Sequence, residues 1–427
     1  MHLGRPQPAG LDADRGNAGR CFLGKYPFAA EDRMPAASDP CGRGSPSSRH
    51  LQNGVVEHRQ LVVVGAGVVG LAIAREAQTR GLATSVLERA GVGAGASGVQ
   101  PGGVRQQWGT RIACRLARES VEFWRDAERR LESKVAFRLE PCGYMFVAHS
   151  AATFERLAAN VRLQNEEGVP SRALSPDEAT SLVPGLDGSE IRGAAWCAED
   201  GYFDRPQAVV EAFAQDIDVR KCDVERIDAD GAGWNVTASH GVSVSADAVV
   251  VAAGVETAAL VAPLGVHLPL AAEDRFLFLS EPIADRLLEP LVIAPELSFA
   301  AKQLASGRVL ASDLGARGDP AEGRARWRET IRDGCLRLLP RLEFVSFPLL
   351  VPGVYDVTPD HQPVLGPVGD REGLFVACGF SGHGFMISPA VARIVVDAIV
   401  GDRDDLLEVL DADRFDEGRL ITEPQLI

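Results

Sequence analysis

From about residue 59 onward, apolar and polar positions alternate between short strand-like runs and longer helical stripes. Leu61 to Val64 is an unbroken aliphatic run of the kind that forms a buried parallel strand. Beyond Gly65-Ala66-Gly67-Val68-Val69-Gly70, the residues Leu71, Ala72, Ile73, Ala74 and Ala77 predict a helix lying against a sheet and ending near Gly81. A second strand over 83–87 places Glu88 at its C-terminal end. Ile112, Leu116, Phe123, Ala127 and Leu131 recur at helical spacing and predict one amphipathic helix over 110–131. A strand is expected at 142–148 and a helix at about 151–167, with Phe154, Leu157 and Val161 inward. Ser175-Pro176-Asp177-Glu178 is a capping box with proline at the first helical position, so a short helix starts there. Next come a helix at about 206–215, a strand and hairpin over 223–240, and a buried strand at 246–252 ending in Gly254. Strands and one helix (323–338) alternate over 268–347. A last buried strand, 374–377, leads into a second glycine-rich loop and a helix over 388–400.

Near the first strand, a glycine loop, a helix and a distant acid are spaced as dinucleotide recognition needs them. Gly65 permits the tight turn, Gly67 lets a pyrophosphate approach the backbone, and Gly70 lets the helix pack closely on the strand. The helix starting near Val68 presents its N-terminus to an anion. Glu88 can accept hydrogen bonds from a ribose diol. A glycine-rich turn in some other βαβ unit is the alternative, and the coincidence of all these elements disfavours it. The same strand–loop–helix grammar recurs at the C-terminal end. An α/β fold is therefore expected, with a nucleotide domain built from discontinuous segments and a mixed α+β domain inserted between them.

Composition narrows the function. A length of 427 residues allows two or three domains, and a net charge of −15 argues against a nucleic-acid partner. No apolar run reaches membrane-spanning length uninterrupted by charge. The eight cysteines are scattered with no CxxC pair, so neither a zinc site nor a disulfide framework is indicated, no metal is expected, and a cytoplasmic location is the expectation. Residues 1–58 are rich in Gly, Pro, Ala, Ser, Arg and Asp without periodicity and read as a disordered extension, with Met34 as one alternative start.

Four separated blocks carry a resemblance to a known family. The first is the glycine loop with Glu88-Arg89 and Gly95-Ala96-Ser97-Gly98; the second is Gly102-Gly103-Val104-Arg105-Gln106-Gln107-Trp108. The third is Val249-Val250-Val251-Ala252-Ala253-Gly254. The fourth joins Thr358-Pro359-Asp360-His361-Gln362-Pro363-Val364-Leu365-Gly366 to Gly379-Phe380-Ser381-Gly382-His383-Gly384-Phe385. Together they resemble the D-amino-acid-oxidase-type flavoproteins, and the GGVRQQW block with Asp200-Gly201-Tyr202-Phe203-Asp204 is most similar to β-type subunits of sarcosine oxidase and L-proline dehydrogenase.

The resemblance implies FAD, held in a Rossmann-like domain of glutathione-reductase type. Its segments would be 59–140, 201–265 and 351–402, with substrate-domain segments 141–200 and 266–350 and a C-terminal tail at 403–427. The implied cofactor contacts are Gly65, Ala66, Gly67, Val68, Val69, Gly70, Glu88, Arg89, Ala96, Ser97, Gly102, Gly103, Val104, Arg105, Ala253 and Gly254, with Val224 at adenine. At the flavin ring they are Gly379, Gly382, His383, Gly384, Phe385 and Met386. The implied catalytic set is Arg105, Tyr144, Tyr355 and His383. Arg105 is the candidate cation at the ring or at a substrate carboxylate, against a solvated surface arginine. Tyr144 and Tyr355 line the substrate cavity or pack in the core, and His383 lies beside the flavin or satisfies loop carbonyls. Arg275 is expected to salt-bridge Glu273 or Asp274.

Monomeric sarcosine oxidases carry a flavin-linked Cys where Gly353 stands, and dimethylglycine-dehydrogenase types use a His that is missing from 100–105. FAD is therefore expected to be non-covalent. Lysines of the monomeric oxidases fall at Val309 and Met386 here. The implied reaction is oxidation of the C–N bond of an amino acid or secondary amine by hydride transfer to flavin N5, with the imine then hydrolysed. A partner subunit is one candidate electron acceptor and oxygen the other. The alternatives are a 2-hydroxy-acid dehydrogenase and a non-catalytic flavin-containing assembly protein.

Overall fold

The structure, a computed structural model, describes residues 57–424 apart from 370, 371 and 403. The expected extension at 1–58 lies outside the described residues except for Glu57 and His58, which already belong to the first strand. That strand begins four residues before the apolar run, which starts at Leu61, because charge holds its start. Glu57 pairs with both Arg59 and Arg220, and His58 faces Asp247.

The first sheet is built from distant parts of the chain. Glu57–Val64 lies parallel to Thr84–Glu88 on one side and to Val242–Val251 on the other. Asp218–Lys221 extends it beyond Thr84–Glu88, and Leu374–Cys378 joins Val242–Val251 in parallel register. The aliphatic residues Leu61, Val62, Val63, Val249, Val250 and Val251 are all fully buried, as strands covered on both faces must be. The α/β class with a discontinuous nucleotide-type sheet is therefore as expected.

A second eight-stranded sheet carries the mixed domain, in the order Leu349–Val357, Ala271–Pro282, Arg308–Asp313, Phe299–Gln303, Leu291–Ala294, Tyr144–Ala148, Gly193–Cys197 and Arg172–Leu174. Leu349–Val357 runs wholly in this sheet, paired with Ala271–Pro282 from Ala271↔Val357 to Leu279↔Leu349. The C-terminal return to the first sheet thus begins at Val364 rather than at 351. Likewise Gly201–Phe203 belongs to a small three-stranded sheet with Gly103–Val104 and Leu139–Glu140. This sheet joins the second loop of the nucleotide region to the mixed domain.

At two places the helices depart from the periodicity by a turn or more. The helix expected over 110–131 is Arg111–Trp124 followed by Ala127–Arg130. Asp126 leaves helical geometry at φ −133° while its carboxylate engages Arg129. The buried stripe continues across the break through Ala127 and Leu131. The helix expected from Ser388 starts one turn earlier and spans Gly384–Val400, with Pro389 inside it. Pro389 has no N–H for the Phe385 carbonyl, and Ser388 Oγ donates to that oxygen instead at 3.1 Å. Trp124 Nε1 takes the Met386 carbonyl at 2.7 Å, while Ser120 Oγ accepts from Ala390 N. The proline is tolerated because side chains satisfy the groups it frees.

The segment 403–427, expected as a tail, is anchored in the interior as far as it is described. Arg414, 1% exposed, forms a two-pronged pair with Asp360 at 2.9 and 3.1 Å. Glu423 accepts from Gly109 N and Thr110 Oγ1. Among the described residues, no helix is long and apolar enough to cross a membrane, and the six cysteines are free.

Candidate active site

The phosphate end is shaped by three glycines. Gly65 sits at φ +107°, and a Cβ there would lie 2.5 Å from the Ala252 carbonyl oxygen. A Cβ at Gly70 would lie 2.1 Å from Gly65 O, so the helix Val68–Thr79 crosses the strand end only without a side chain there. Gly67 differs: its backbone is ordinary (φ −70°), and its Cβ direction meets only Ser97 Oγ at 3.3 Å. The helix N-terminus is directed at the same place, with Val68 N donating to Ser97 Oγ at 2.9 Å. Ser97 thus closes over the loop from the Ala96–Val99 turn of helix.

Glu88 accepts from Ala66 N at 2.8 Å through one carboxylate oxygen and from Ala90 N at 2.7 Å through the other. It ties the glycine loop to the end of the second strand, a structural duty the ribose reading did not foresee. Arg89 pairs with Glu256 at 2.6 Å across the mouth of the same edge. Ala253 and Gly254 follow the Val242–Val251 strand, where Ala253 N donates to Thr257 Oγ1 and Gly254 adopts φ +57°. Val224 opens the next strand, three residues beyond Lys221, which is paired with Glu88.

At the opposite end, two glycine loops meet two tyrosines. A Cβ at Gly103 would lie 2.2 Å from Tyr144 Oη, and a Cβ at Gly382 would lie 2.3 Å from the Tyr355 ring. Between them is Arg105, 1% exposed and not the solvated arginine of the alternative reading. Its guanidinium lies 3.5 Å from the Trp108 ring centre and 5.4 Å from that of Phe146, and Nη1 donates to Gln107 O at 2.7 Å. Burial pushes its pKa down to about 10, partly offset by the charges of Glu423 and other acidic groups. Burial likewise raises the pKa of Tyr144 and Tyr355, so both hydroxyls stay protonated donors.

His383 packs edge-on against Trp108 at 4.1 Å and precedes the helix Gly384–Val400. Burial first, then the charges of Arg105, His361 and Arg275, hold its pKa well below the usual value, so it is neutral. Phe385 stacks on Trp124 at 5.5 Å. Gly102, Gly103 and Val104 form the turn opposite this loop, and Gly379 lies at its start with φ +73°. Arg275 pairs with Glu273 at 2.8 Å, the expected arrangement, and also lies 4.7 Å over Tyr355.

Two carboxylates escaped the sequence reading, one buried and one half-buried. Asp200, fully buried, accepts from Gln106 N at 2.9 Å and Gln107 Nε2 at 3.0 Å, and burial pushes its pKa up to about 6. Asp356 accepts from Gly379 N at 2.7 Å, while its carbonyl accepts from Ser381 N at 2.8 Å. Burial raises its pKa to about 6 as well. It fixes the second glycine loop to the Leu349–Val357 strand that carries Tyr355. Asp200 had stood within the Asp200–Asp204 segment that carries the resemblance, whereas the one sequence signal for Asp356 was its place beside Tyr355.

The side-chain-free cradle at Gly65, Gly67 and Gly70, facing a helix start, fits a dinucleotide pyrophosphate. The buried Arg105 at the far end, set among Trp108, Phe146 and two protonated tyrosines, suits a small anion beside a redox ring. Comparison with known proteins agrees. Residues 60–398 match the DAO family, FAD dependent oxidoreductase, and the chain belongs to that family. It is an FAD-dependent oxidoreductase. It is 26% identical over 364 residues to 4-methylaminobutanoate oxidase (formaldehyde-forming) of Paenarthrobacter nicotinovorans, covering 80% of this chain and 44% of that protein's length. It is also 26% identical over 400 residues to FAD-dependent oxidoreductase domain-containing protein 1 of Bos taurus, covering 81% and 82%. Among solved structures, L-proline dehydrogenase from P. horikoshii superposes with a TM-score of 0.79 at 26% identity, covering 86% of this chain and 100% of that one. Among the described residues, no group of three or more His, Cys, Asp or Glu side chains is arranged to hold a metal ion.

Proposed function

We propose that this chain oxidises the C–N bond of a small amino acid or carboxylate-bearing secondary amine, with FAD held non-covalently. The observation that carries the reading is Arg105: a guanidinium buried on Trp108, its charge supported by the acidic groups Glu423 and Asp200, with the rings of Tyr144 and Tyr355 in its neighbourhood. A buried cation beside two protonated phenols suits a carboxylate, which would recover the solvation Arg105 has lost. When bound, FAD supplies the two-electron redox chemistry. The protein's part is to hold the substrate carboxylate on Arg105, to direct the amine carbon toward the region between the two glycine loops, and to exclude water. The substrate binds as the free amine and so needs no protein base, and neutral His383 adds no positive charge beside it. The C=N product is released to water and hydrolysed. Similarity to 4-methylaminobutanoate oxidase (formaldehyde-forming) and L-proline dehydrogenase, each named for a substrate that carries both an amine and a carboxylate, supports the same class.

Gly353 and the residues over 100–105 offer no Cys or His for covalent attachment, which supports a dissociable cofactor. Val309 is fully buried and Met386 turns its carbonyl to Trp124, so neither position offers a cation for oxygen activation. A dye or partner subunit as acceptor is the reading we favour. Steady-state turnover with an artificial dye tests the class: N-methyl amino acids or cyclic amino acids should be oxidised, their amides poorly, and 2-hydroxy acids not at all. Turnover of 2-hydroxy acids alone would replace this reading.

A further inference from the structure

Lys302 is a fully buried lysine that the site as described does not use. It projects from the Phe299–Gln303 strand of the mixed domain, and its Nζ donates to the carbonyl of Pro101 at 2.7 Å. The ammonium also lies 4.2 Å over the ring of Tyr202, whose hydroxyl donates to Gln303 O at 3.1 Å and accepts from Arg286 at 3.2 Å. A cation so placed has exchanged its water for one carbonyl and one aromatic face. Burial accordingly pushes its pKa down to about 7.

The segment it holds leads through Gly102, at φ +76° with its Cβ direction blocked at 3.0 Å by Phe203 O, into the short strand Gly103–Val104. That strand pairs with Gly201 and Tyr202 and is followed directly by Arg105. Gly103 is kept bare by the Tyr144 hydroxyl. Lys302 thus grips both sides of this strand pair, Pro101 O at the entry of one strand and the Tyr202 ring on the other, and a strand of two residues has few ladder bonds of its own with which to aim Arg105. It is pinned from outside at both ends. Lys302 holds Pro101 before the glycines, and Asp200 holds Gln106 and Gln107 after Arg105. A methionine would fill the Lys302 cavity without the burial penalty, so packing alone does not account for a charge there.

We propose that Lys302 is a positioning residue for carboxylate recognition: by clamping the Pro101 carbonyl against the Tyr202 strand it fixes the short strand that aims Arg105 at the substrate. The inference rests on the reading of Arg105 as the partner of the substrate carboxylate.

The test uses FAD-loaded full-length protein and two redox-inert probes, pyrrole-2-carboxylate and pyrrole-2-carboxamide. Their dissociation constants are read from perturbation of the flavin's visible spectrum, alongside FAD content and melting temperature. Three variants grade the clamp. Lys302→Arg keeps a cation, Lys302→Gln keeps a neutral donor, and Lys302→Met keeps neither. Carboxylate affinity should fall at least about tenfold in Lys302→Met, less in Lys302→Gln, and recover to within about threefold of wild type in Lys302→Arg. Carboxamide affinity and FAD content should stay unchanged through the series. Unchanged carboxylate affinity in Lys302→Met, or equal loss for carboxylate and carboxamide, overturns the proposal. If Lys302→Met does not fold, equal carboxylate affinity in the Arg and Gln variants does the same. Wild-type protein that binds the carboxylate no better than the carboxamide overturns the underlying reading of Arg105 and this inference with it. That outcome is read on wild type alone and is thereby distinguishable from a failure of Lys302.

Discussion

Replacing Arg105 with methionine separates function from stability, because the two respond in opposite directions. Burial pushes the guanidinium's pKa down to about 10, against an ordinary value above about 12. A folded-state pKa below the unfolded one means that the folded protein holds the proton less tightly. The penalty is therefore fully present at neutral pH and disappears only as pH rises through and beyond about 10. At about 1.4 kcal/mol per pKa unit, the folded state carries this charge at a cost of about 3 kcal/mol. The Trp108 contact at 3.5 Å returns about 1–2 kcal/mol. Methionine fills similar space without the charge, and loses the bond to Gln107 O, a cost of about 1 kcal/mol. The balance is near zero or slightly favourable. Since a body of this size shifts by only about 1–1.5 °C per kcal/mol, the melting temperature should stay within about 2 °C of wild type or rise. Affinity should move much further. A charge-assisted bond to a carboxylate is worth about 1.5–3 kcal/mol, so KM for carboxylate substrates should rise roughly ten- to hundredfold. KM for the corresponding amides should barely change. Scanning calorimetry paired with steady-state kinetics reads both. A drop of more than about 5 °C with unchanged KM would refute the reasoning and make Arg105 a structural cation.

Gly67→Val should abolish FAD binding while the fold is kept, because Gly67 has ordinary backbone torsions and its Cβ direction meets only the Ser97 hydroxyl, at 3.3 Å, over the phosphate site. A variant that folds and retains stoichiometric FAD would displace that site. Arg414→Met strands the buried Asp360 carboxylate and should cost about 3–5 kcal/mol, a fall of several degrees in melting temperature. In wild type, Arg414 holds Asp360 below its ordinary pKa despite burial, so the pair's contribution is complete above about pH 4 and is lost as pH falls further. An acid-melting profile that is the same in Arg414→Met and wild type would contradict this. Acid precipitation of the yellow protein should leave all colour in the supernatant, and colour in the pellet would mean a covalent flavin. Substrate-reduced protein mixed with aerated buffer should reoxidise slowly and with a dye rapidly; millisecond reoxidation by oxygen, with stoichiometric peroxide, would make it an oxidase.

The phosphate end was legible in the sequence because its determinants are local. Strand, glycine spacing, helix and Glu88 lie within 30 residues, and each has a backbone reason to be where it is. The ring end is assembled by long-range packing. Gly103 meets Tyr144, Gly382 meets Tyr355, and Trp108 bridges Arg105 and His383, contacts that no spacing rule encodes. The resemblance supplied the residues there, while the geometry supplied their states. Asp200 and Asp356 went unread for a single reason: charged residues are normally exposed, and only tertiary structure reveals the exceptions. The helix start at Gly384 was hidden by Pro389, which reads as a first-turn proline and is accommodated instead by Ser388, Trp124 and Ser120.

The central claim, oxidation at a carbon–nitrogen bond, is tested most directly by anaerobic addition of amines, amino acids and 2-hydroxy acids to the purified holoprotein while the flavin's visible absorbance is followed. Bleaching by at least one carboxylate-bearing amine, and by no 2-hydroxy acid, is the expected result. Bleaching by a 2-hydroxy acid alone, or by no compound of any class, would contradict it.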